Sequence, residues 1–215
     1  MMSRLLSVQG WMAAAAGLGL SASAWAAPIA INNPSFETPN SGNPDGWGIG
    51  QTDLADVSSD FAHSGSQSLK FTASPNQNTD AFNPVIGLAS GDASNAVTMS
   101  ANFYTPSSAP LSGTLYVLSV EFKKSLPGGG DTGVSSAEHV FVPEQLTANA
   151  WTPLSFTTTT AGPWDELILH VRTVGTEGAS GLLYVDDVSA AVPEPASLGL
   201  VAVGFAGLLR RRRRA

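Results

Sequence analysis

From residue 68 onward the chain repeats a two-residue rhythm. Polar and apolar side chains alternate through Ser68–Thr72, and in Ala96–Tyr104 the positions Val97, Met99, Ala101 and Phe103 share one parity. Tyr116, Leu118, Val120 and Phe122 do the same within 114–122. Leu167, Leu169 and Val171 oppose Glu166, His170 and Arg172 within 166–173. Segments 138–142, 151–158 and 182–188 supply three further runs. A period of two turns one side of each run toward a core and the other toward solvent. No window carries a sustained helical stripe. Breaks rich in Gly and Pro, at 40–50, 105–110 and 127–130, separate the runs. Seven or eight short strands at this spacing predict an all-β chain folded as a β-sandwich, with antiparallel pairing across the short connections.

Composition agrees with that reading. The 215 residues include Gly 22 and Pro 14, and only 13% are charged, which suits a turn-rich β protein better than a helical bundle. Cysteine is absent, which excludes a disulfide scaffold, a cysteine-ligated zinc and a cysteine nucleophile. The formal net charge of −7 hides an uneven distribution. Arg4 and the run 210–214 hold most of the basic charge. Between them stand only Lys70, Lys123, Lys124 and Arg172, against sixteen acidic residues in 27–192, a balance of −12. An acidic middle with basic ends does not make a nucleic-acid binder, which needs a basic face for phosphates.

The two ends read as addresses. Arg4, an apolar stretch from 10 to 20, and the Ala24-Trp25-Ala26 site form a secretory signal, which predicts a helix over the signal and a cut after Ala26. At the other end Pro193-Glu194-Pro195 precedes the apolar run 196–209 and then Arg210, Arg211, Arg212, Arg213 and Arg214. Fourteen helical residues reach roughly 21 Å, short of a hydrocarbon core of about 30 Å. The arginines cannot enter a protein core unpaired and would stay cytoplasmic. A short transmembrane helix results, marginal for a permanent anchor and suited to a transient one. This order of motif, apolar helix and arginine cluster resembles the PEP-CTERM sorting signal, over the segment 192–215. The resemblance implies a Gram-negative bacterium that makes exopolysaccharide, recognition by an exosortase at the inner membrane, and release to the cell surface or matrix.

Residues 27–191 form the body. It opens on Asn33-Pro34-Ser35-Phe36-Glu37 and Gly46-Trp47, continues with Ala62-His63-Ser64-Gly65-Ser66-Gln67-Ser68-Leu69, and closes on Tyr184-Val185-Asp186-Asp187-Val188. That series resembles the galactose-binding-like jelly roll, particularly carbohydrate-binding modules of the xylanase-associated kind. The resemblance implies a jelly-roll β-sandwich with Phe36 and Trp47 in the core and Gly65 at a hairpin turn. It also implies one structural Ca2+ where the first and last strands meet, with Glu37 and Asp186 as ligands. Backbone carbonyls near Asn33 and along the hairpin that begins at Asp60 would complete the oxygen shell that calcium requires. Strand alternation places Asp187 on the face opposite Asp186, so only one of them would be a ligand.

Glycan recognition needs exposed aromatic rings beside hydrogen-bonding groups. Trp47 and Trp151 read as core anchors. Trp164, in the turn Gly162-Pro163-Trp164-Asp165, is the exposed candidate. Tyr104, His170 and Arg172 project from the polar sides of their runs and could share a cleft on one sheet, or could simply be a solvated outer face. Signals for catalysis are weak. Asp131-Thr132-Gly133 sits in a glycine loop, and the three histidines form no H-E-x-x-H pair. No G-x-S-x-G elbow occurs. The expected function is therefore non-catalytic: binding or organising exopolysaccharide outside the cell. A structural or adhesive surface protein without a glycan site is the first alternative, and a glycan hydrolase the second.

Overall fold

The structure is a computed structural model that describes residues 26–40, 43–51, 53–91 and 95–193. The expected signal helix, the transmembrane helix 196–209 and the arginine cluster lie outside the described residues. Among the described residues no helix is long and apolar enough to cross a membrane.

Thirteen strands are described: β1 (Ala26–Ile29), β2 (Pro39–Asn40), β3 (Asn43–Pro44), β4 (Gly48–Ile49), β5 (Ala55–Ser58), β6 (Ser68–Thr72), β7 (Asn78–Gly91), β8 (Ala96–Tyr104), β9 (Ser112–Ser125), β10 (Asp131–Phe141), β11 (Thr152–Thr159), β12 (Trp164–Ser180) and β13 (Leu182–Pro193). A 3-10 turn, Pro143–Gln145, connects β10 to β11. Two antiparallel sheets carry the body. The first runs β11-β8-β13-β6-β5, with β1 added beside β13, and the second runs β10-β9-β12-β7-β4. The body is a jelly-roll-like β-sandwich.

All seven runs read from the alternation coincide with strands to within a residue, and their apolar parities face inward except in 138–142, where Val140 and Val142 are exposed and Phe141 is buried. Leu69, Phe71, Met99, Phe103, Leu183 and Val185 of the first sheet and Tyr116, Leu118, Phe122, Leu167 and Leu169 of the second are fully buried. Phe103 meets Tyr116 across the two sheets, with ring centroids 5.2 Å apart. Strand β7 escaped the sequence reading because its inward positions Thr79, Ala81 and Asn83 are small or polar. Asn83 is 1% exposed, and its amide donates to the carbonyls of Asn32 and Gly46, both at 3.0 Å. The indole N–H of Trp47 reaches the same turn, 3.1 Å from the Asn33 carbonyl. Phe36, held at φ +59° and fully buried, packs 5.0 Å from the Trp47 ring. The opening motif is thus a folded knot whose carbonyls point into the core.

Both ends of the body meet on one ladder. Strand β1 pairs with β13 in the register Ala26↔Pro193, Ala27↔Val192, Pro28↔Ala191 and Ile29↔Ala190. Earlier in β13 the pairing with β8 slips between Asp186 and Ser189, so that one extra residue is inserted. Asp187 occupies that bulge at φ +48°. The bulge overturns the expectation that Asp186 and Asp187 serve opposite faces. The left-handed residue breaks the alternation, and both carboxylates reach the same loop.

Candidate functional site

The outer face of the second sheet is built by the polar parity of four strands. Register places Glu138, Ser119, His170 and Phe82 side by side across β10, β9, β12 and β7, and Ser136, Glu121, Ile168 and Pro84 in the next row. Arg172 stands one step further along β12, beside Val117 and Asp80. Ser119, Glu121, Ser136, Ala137, Glu138, His170 and Arg172 line a shallow groove of about 520 Å³. Its charges are paired to one another. His170 Nδ1 lies 2.9 Å from Asp80 Oδ2, and His170 Nε2 lies 3.7 Å from Glu121. The Arg172 guanidinium donates to Glu138, and Phe82 packs 6.0 Å from the His170 ring. Hydroxyls, carboxylates, an imidazole and a guanidinium converge here, a set that can hydrogen-bond a chain of sugar hydroxyls from several directions.

His170 and Arg172 therefore share a face as expected, but the other two glycan candidates do not join them. Trp164 is 1% exposed and packs edge-on against Phe122 at 5.5 Å. A register shift between Trp164 and Glu166 turns the indole inward at the start of β12, which the Pro-Trp turn signal could not show. Tyr104 lies on the first sheet, 7% exposed, under Phe61 at 4.5 Å and beside Trp151 at 5.3 Å. The expected single-sheet cleft of Tyr104, His170 and Arg172 is thus split between opposite faces of the sandwich. Trp151, expected in the core, is half-buried on the outer side of the first sheet and meets His63 at 5.5 Å. Among the described residues no Phe, Tyr or Trp is largely exposed. Ser119, Glu121, Ser136 and Glu138 went unnamed in the sequence reading. Parity opposite Leu118 and Val120 marks Ser119 and Glu121 as outward, and Ser136 and Glu138 reach them only through the register of β10 on β9.

The outer face of the first sheet is closed by the loop 59–67. Glu37 accepts from the Ser66 and Gln67 N–H groups at 3.0 and 2.9 Å and from the Ser66 hydroxyl at 2.9 Å. Burial pushes the Glu37 carboxyl up, but these donors together outweigh it and hold the group below the usual glutamate range. Asp186 is fully buried and accepts from the N–H groups of His63 (2.7 Å), Ser64 (3.0 Å) and Asp187 (2.7 Å). Here burial dominates the three donors and raises the carboxyl above the usual aspartate range. Asp187 takes the His63 imidazole and the Ser64 hydroxyl, both at 2.6 Å. Gly65 turns at φ +61°, and a Cβ there would strike the Glu37 carboxylate.

The expected calcium shell was Glu37 and Asp186 with backbone carbonyls near Asn33 and along the hairpin from Asp60. In this structure both carboxylates are already engaged by N–H donors, and the Asn33 carbonyl by the Phe36 N–H and the Trp47 indole. Calcium requires six to eight oxygens. The loop instead aims N–H groups, the positive ends of their dipoles, at Glu37 and Asp186. Asn33 exchanges its side-chain hydrogen bonds with the Thr38 backbone, and Asp60 accepts from the Tyr184 hydroxyl at 3.2 Å. Burial and Asp60 push that tyrosine up to about 12. Among the described residues no three His, Asp or Glu side chains stand together as a metal group.

Comparison with known proteins supplies one decisive match. Residues 191–214 carry the PEP-CTERM protein-sorting motif. It bears out the resemblance read from Pro193-Glu194-Pro195 and marks the chain for export and exosortase sorting to the cell surface. The PEP-CTERM segment begins inside β13, on the residues that pair with Ala27 and Pro28. No curated protein matches the chain by sequence. Among solved structures it is similar to a cyclase from Fischerella sp. TAU, with TM-score 0.56 and 14% identity over 80% of this chain and 100% of that one. It is similar also to an arabinose-bound GH51 α-L-arabinofuranosidase, with TM-score 0.53 and 18% identity over 79% of this chain and 27% of that one. The CBM22-1 xylan-binding domain of Paenibacillus barcinonensis Xyn10C matches with TM-score 0.48 and 17% identity, over 80% of this chain and 97% of that domain. At such identities the likeness is one of fold.

Proposed function

We propose that this PEP-CTERM protein is a non-catalytic polysaccharide binder that works at the cell surface or in the extracellular matrix, using the groove on the second sheet. The observation that carries the reading is the groove itself: seven lining residues, six of them polar, all of them on the strands of one sheet. Sugar hydroxyls both donate and accept. Glu121 and Glu138 accept from them, Arg172 donates, and Ser119 and Ser136 do either. With no Phe, Tyr or Trp ring lining the groove, recognition rests on these hydrogen bonds. Such binding is weak per site, and a matrix protein present in many copies compensates by multivalency.

Affinity electrophoresis of the full chain, purified in mild detergent, tests this. Retardation in gels containing a polysaccharide, lost in the Arg172→Ala variant, is the expected result. Unchanged retardation in that variant would move binding to another face, and silence toward every polymer would leave a structural or adhesive role. The same incubations are assayed for new reducing ends. Their release would show hydrolysis and overturn the non-catalytic reading.

A further inference from the structure

We infer that the groove accepts an uncharged stretch of glycan and turns polyanions away; this rests on the polysaccharide-binding reading above and names its ligand class. The reason lies in how the charges are spent. Arg172 is the one permanent cation lining the groove, and its guanidinium is held by Glu138. His170 stands between Asp80 and Glu121. Even with His170 charged, two positive groups face three carboxylates, Asp80, Glu121 and Glu138. Lys123, 3.9 Å from Glu121 and outside the lining, is held more closely by Asp131 at 3.2 Å, so carboxylates still outnumber cations. A uronate, sulfate or phosphate on the ligand would have to strip Glu138 from Arg172. It would then lie against carboxylates that can only accept hydrogen bonds, as the anion itself can only accept. A neutral sugar meets no such conflict, because each hydroxyl offers the donor that a carboxylate lacks. The −12 balance of residues 27–192 adds repulsion at long range, which physiological salt screens beyond about 8 Å. Repulsion inside the groove acts at contact distance and survives the salt.

The test is affinity electrophoresis of the full chain at physiological salt against three polymer classes: a neutral xylan and β-glucan, the uronate polymer polygalacturonate, and the amine polymer chitosan. Retardation by a neutral polymer, with polygalacturonate at least tenfold weaker, is expected. Glu138→Gln frees Arg172 and should bring polygalacturonate binding to within about threefold of the neutral polymer. Glu121→Gln, which removes a negative charge without touching Arg172, should produce a smaller gain. Glu177→Gln, an exposed carboxylate outside the groove, should change nothing. Polygalacturonate bound as tightly as the neutral polymers by the wild type would overturn the inference while leaving glycan binding intact. So would binding to chitosan alone that salt abolishes, or a gain from Glu177→Gln equal to that from Glu138→Gln. Silence toward all three classes defeats the binding reading itself and this inference with it.

Discussion

The two outer faces of the sandwich are built from the same kind of strand and treated in opposite ways. On the first sheet the loop 59–67 folds back over the strands. It sets Phe61 against Tyr104 and Tyr184 and aims its N–H groups at Glu37 and Asp186. On the second sheet the groove is lined by strand residues alone, and the polar parity of β9, β10 and β12 pairs its charges across the surface. Carboxylates do different work on the two faces. Asp186 is fully buried and fixes a loop through main-chain donors, whereas Glu138 is more than half exposed and holds a single side chain, that of Arg172. Charge buried on the main chain serves the fold, and charge left on the surface remains available to a ligand.

Removing Asp186 should break this contrast most severely. Asp186→Ala leaves three N–H groups of the loop and the bulge without their acceptor at a fully buried side-chain position. The expected cost is about 3–5 kcal/mol. For a body of this size that lowers the melting temperature by roughly 10–15 °C. Thermal denaturation followed by circular dichroism measures it, and a fall of only a degree or two would mean that the loop is held by other contacts. EDTA on the wild type should leave the melting temperature unchanged. A fall that calcium restores would show that the N–H groups give way to a metal.

Glu37 closes the same loop from the more accessible side. Its loss should cost about 1–2 kcal/mol, less than Asp186 because water can replace part of what is removed. It also sets a pH dependence. The Glu37 carboxyl is held below its unfolded value, so its contribution is present above the ordinary glutamate range, near 4.3, and is lost as pH falls through the lower folded value. Asp186 acts with the opposite sign, since its raised carboxyl makes acid relieve strain. Glu37→Gln should therefore flatten the loss of stability below about pH 4 in urea titrations. A variant that loses stability on acidification as steeply as the wild type would assign that slope to other groups.

The same contrast explains what the sequence could disclose. Strand parity is local, so the seven alternating runs and their core residues from Leu69 to Val185 were legible. The sorting tail was legible for the same reason, being a linear order of motif, apolar run and arginines. Three things were not local. The bulge at Asp187 adds one residue to β13 and breaks its parity, and after Trp164 the register of β12 on β7 slips, with the extra residues on β7; Asp187 thus joins the clamp and Trp164 the core. Strand β7 buries Asn83 where a pattern reading expects an apolar residue. The fold-back of Phe61 over Tyr104 depends on a loop whose path is set by distant carboxylates, 29 to 123 positions away in the chain. His170 and Arg172 were found because they oppose Leu169 and Val171. Glu121 and Glu138 needed the register of three strands before they became neighbours.

Phe61 offers an intermediate case, because it covers a face through packing instead of charge. Its ring lies 4.5 Å from Tyr104 and 5.0 Å from Tyr184. Phe61→Ala should cost about 1–2 kcal/mol and expose Tyr104, measurable as faster quenching of the neighbouring Trp151 fluorescence by acrylamide. Quenching that stays at the wild-type rate would show that Trp151 is shielded by something other than this loop.

The smallest effect on stability should come from Arg172, and it is the most telling. Its ion pair with Glu138 is half open to water, a class of interaction worth about 0–1 kcal/mol. Arg172→Ala should therefore melt within about 2–4 °C of the wild type while losing at least tenfold in polysaccharide retardation. Stability and binding would then separate between the faces: Arg172→Ala loses retardation and keeps its stability, whereas Asp186→Ala loses stability and, below its melting temperature, keeps its retardation. A melting temperature for Arg172→Ala as low as that of the Glu37 variant would mean that the second face is also structural. The groove would then be a by-product of strand parity, with its charges paired for the sake of the fold.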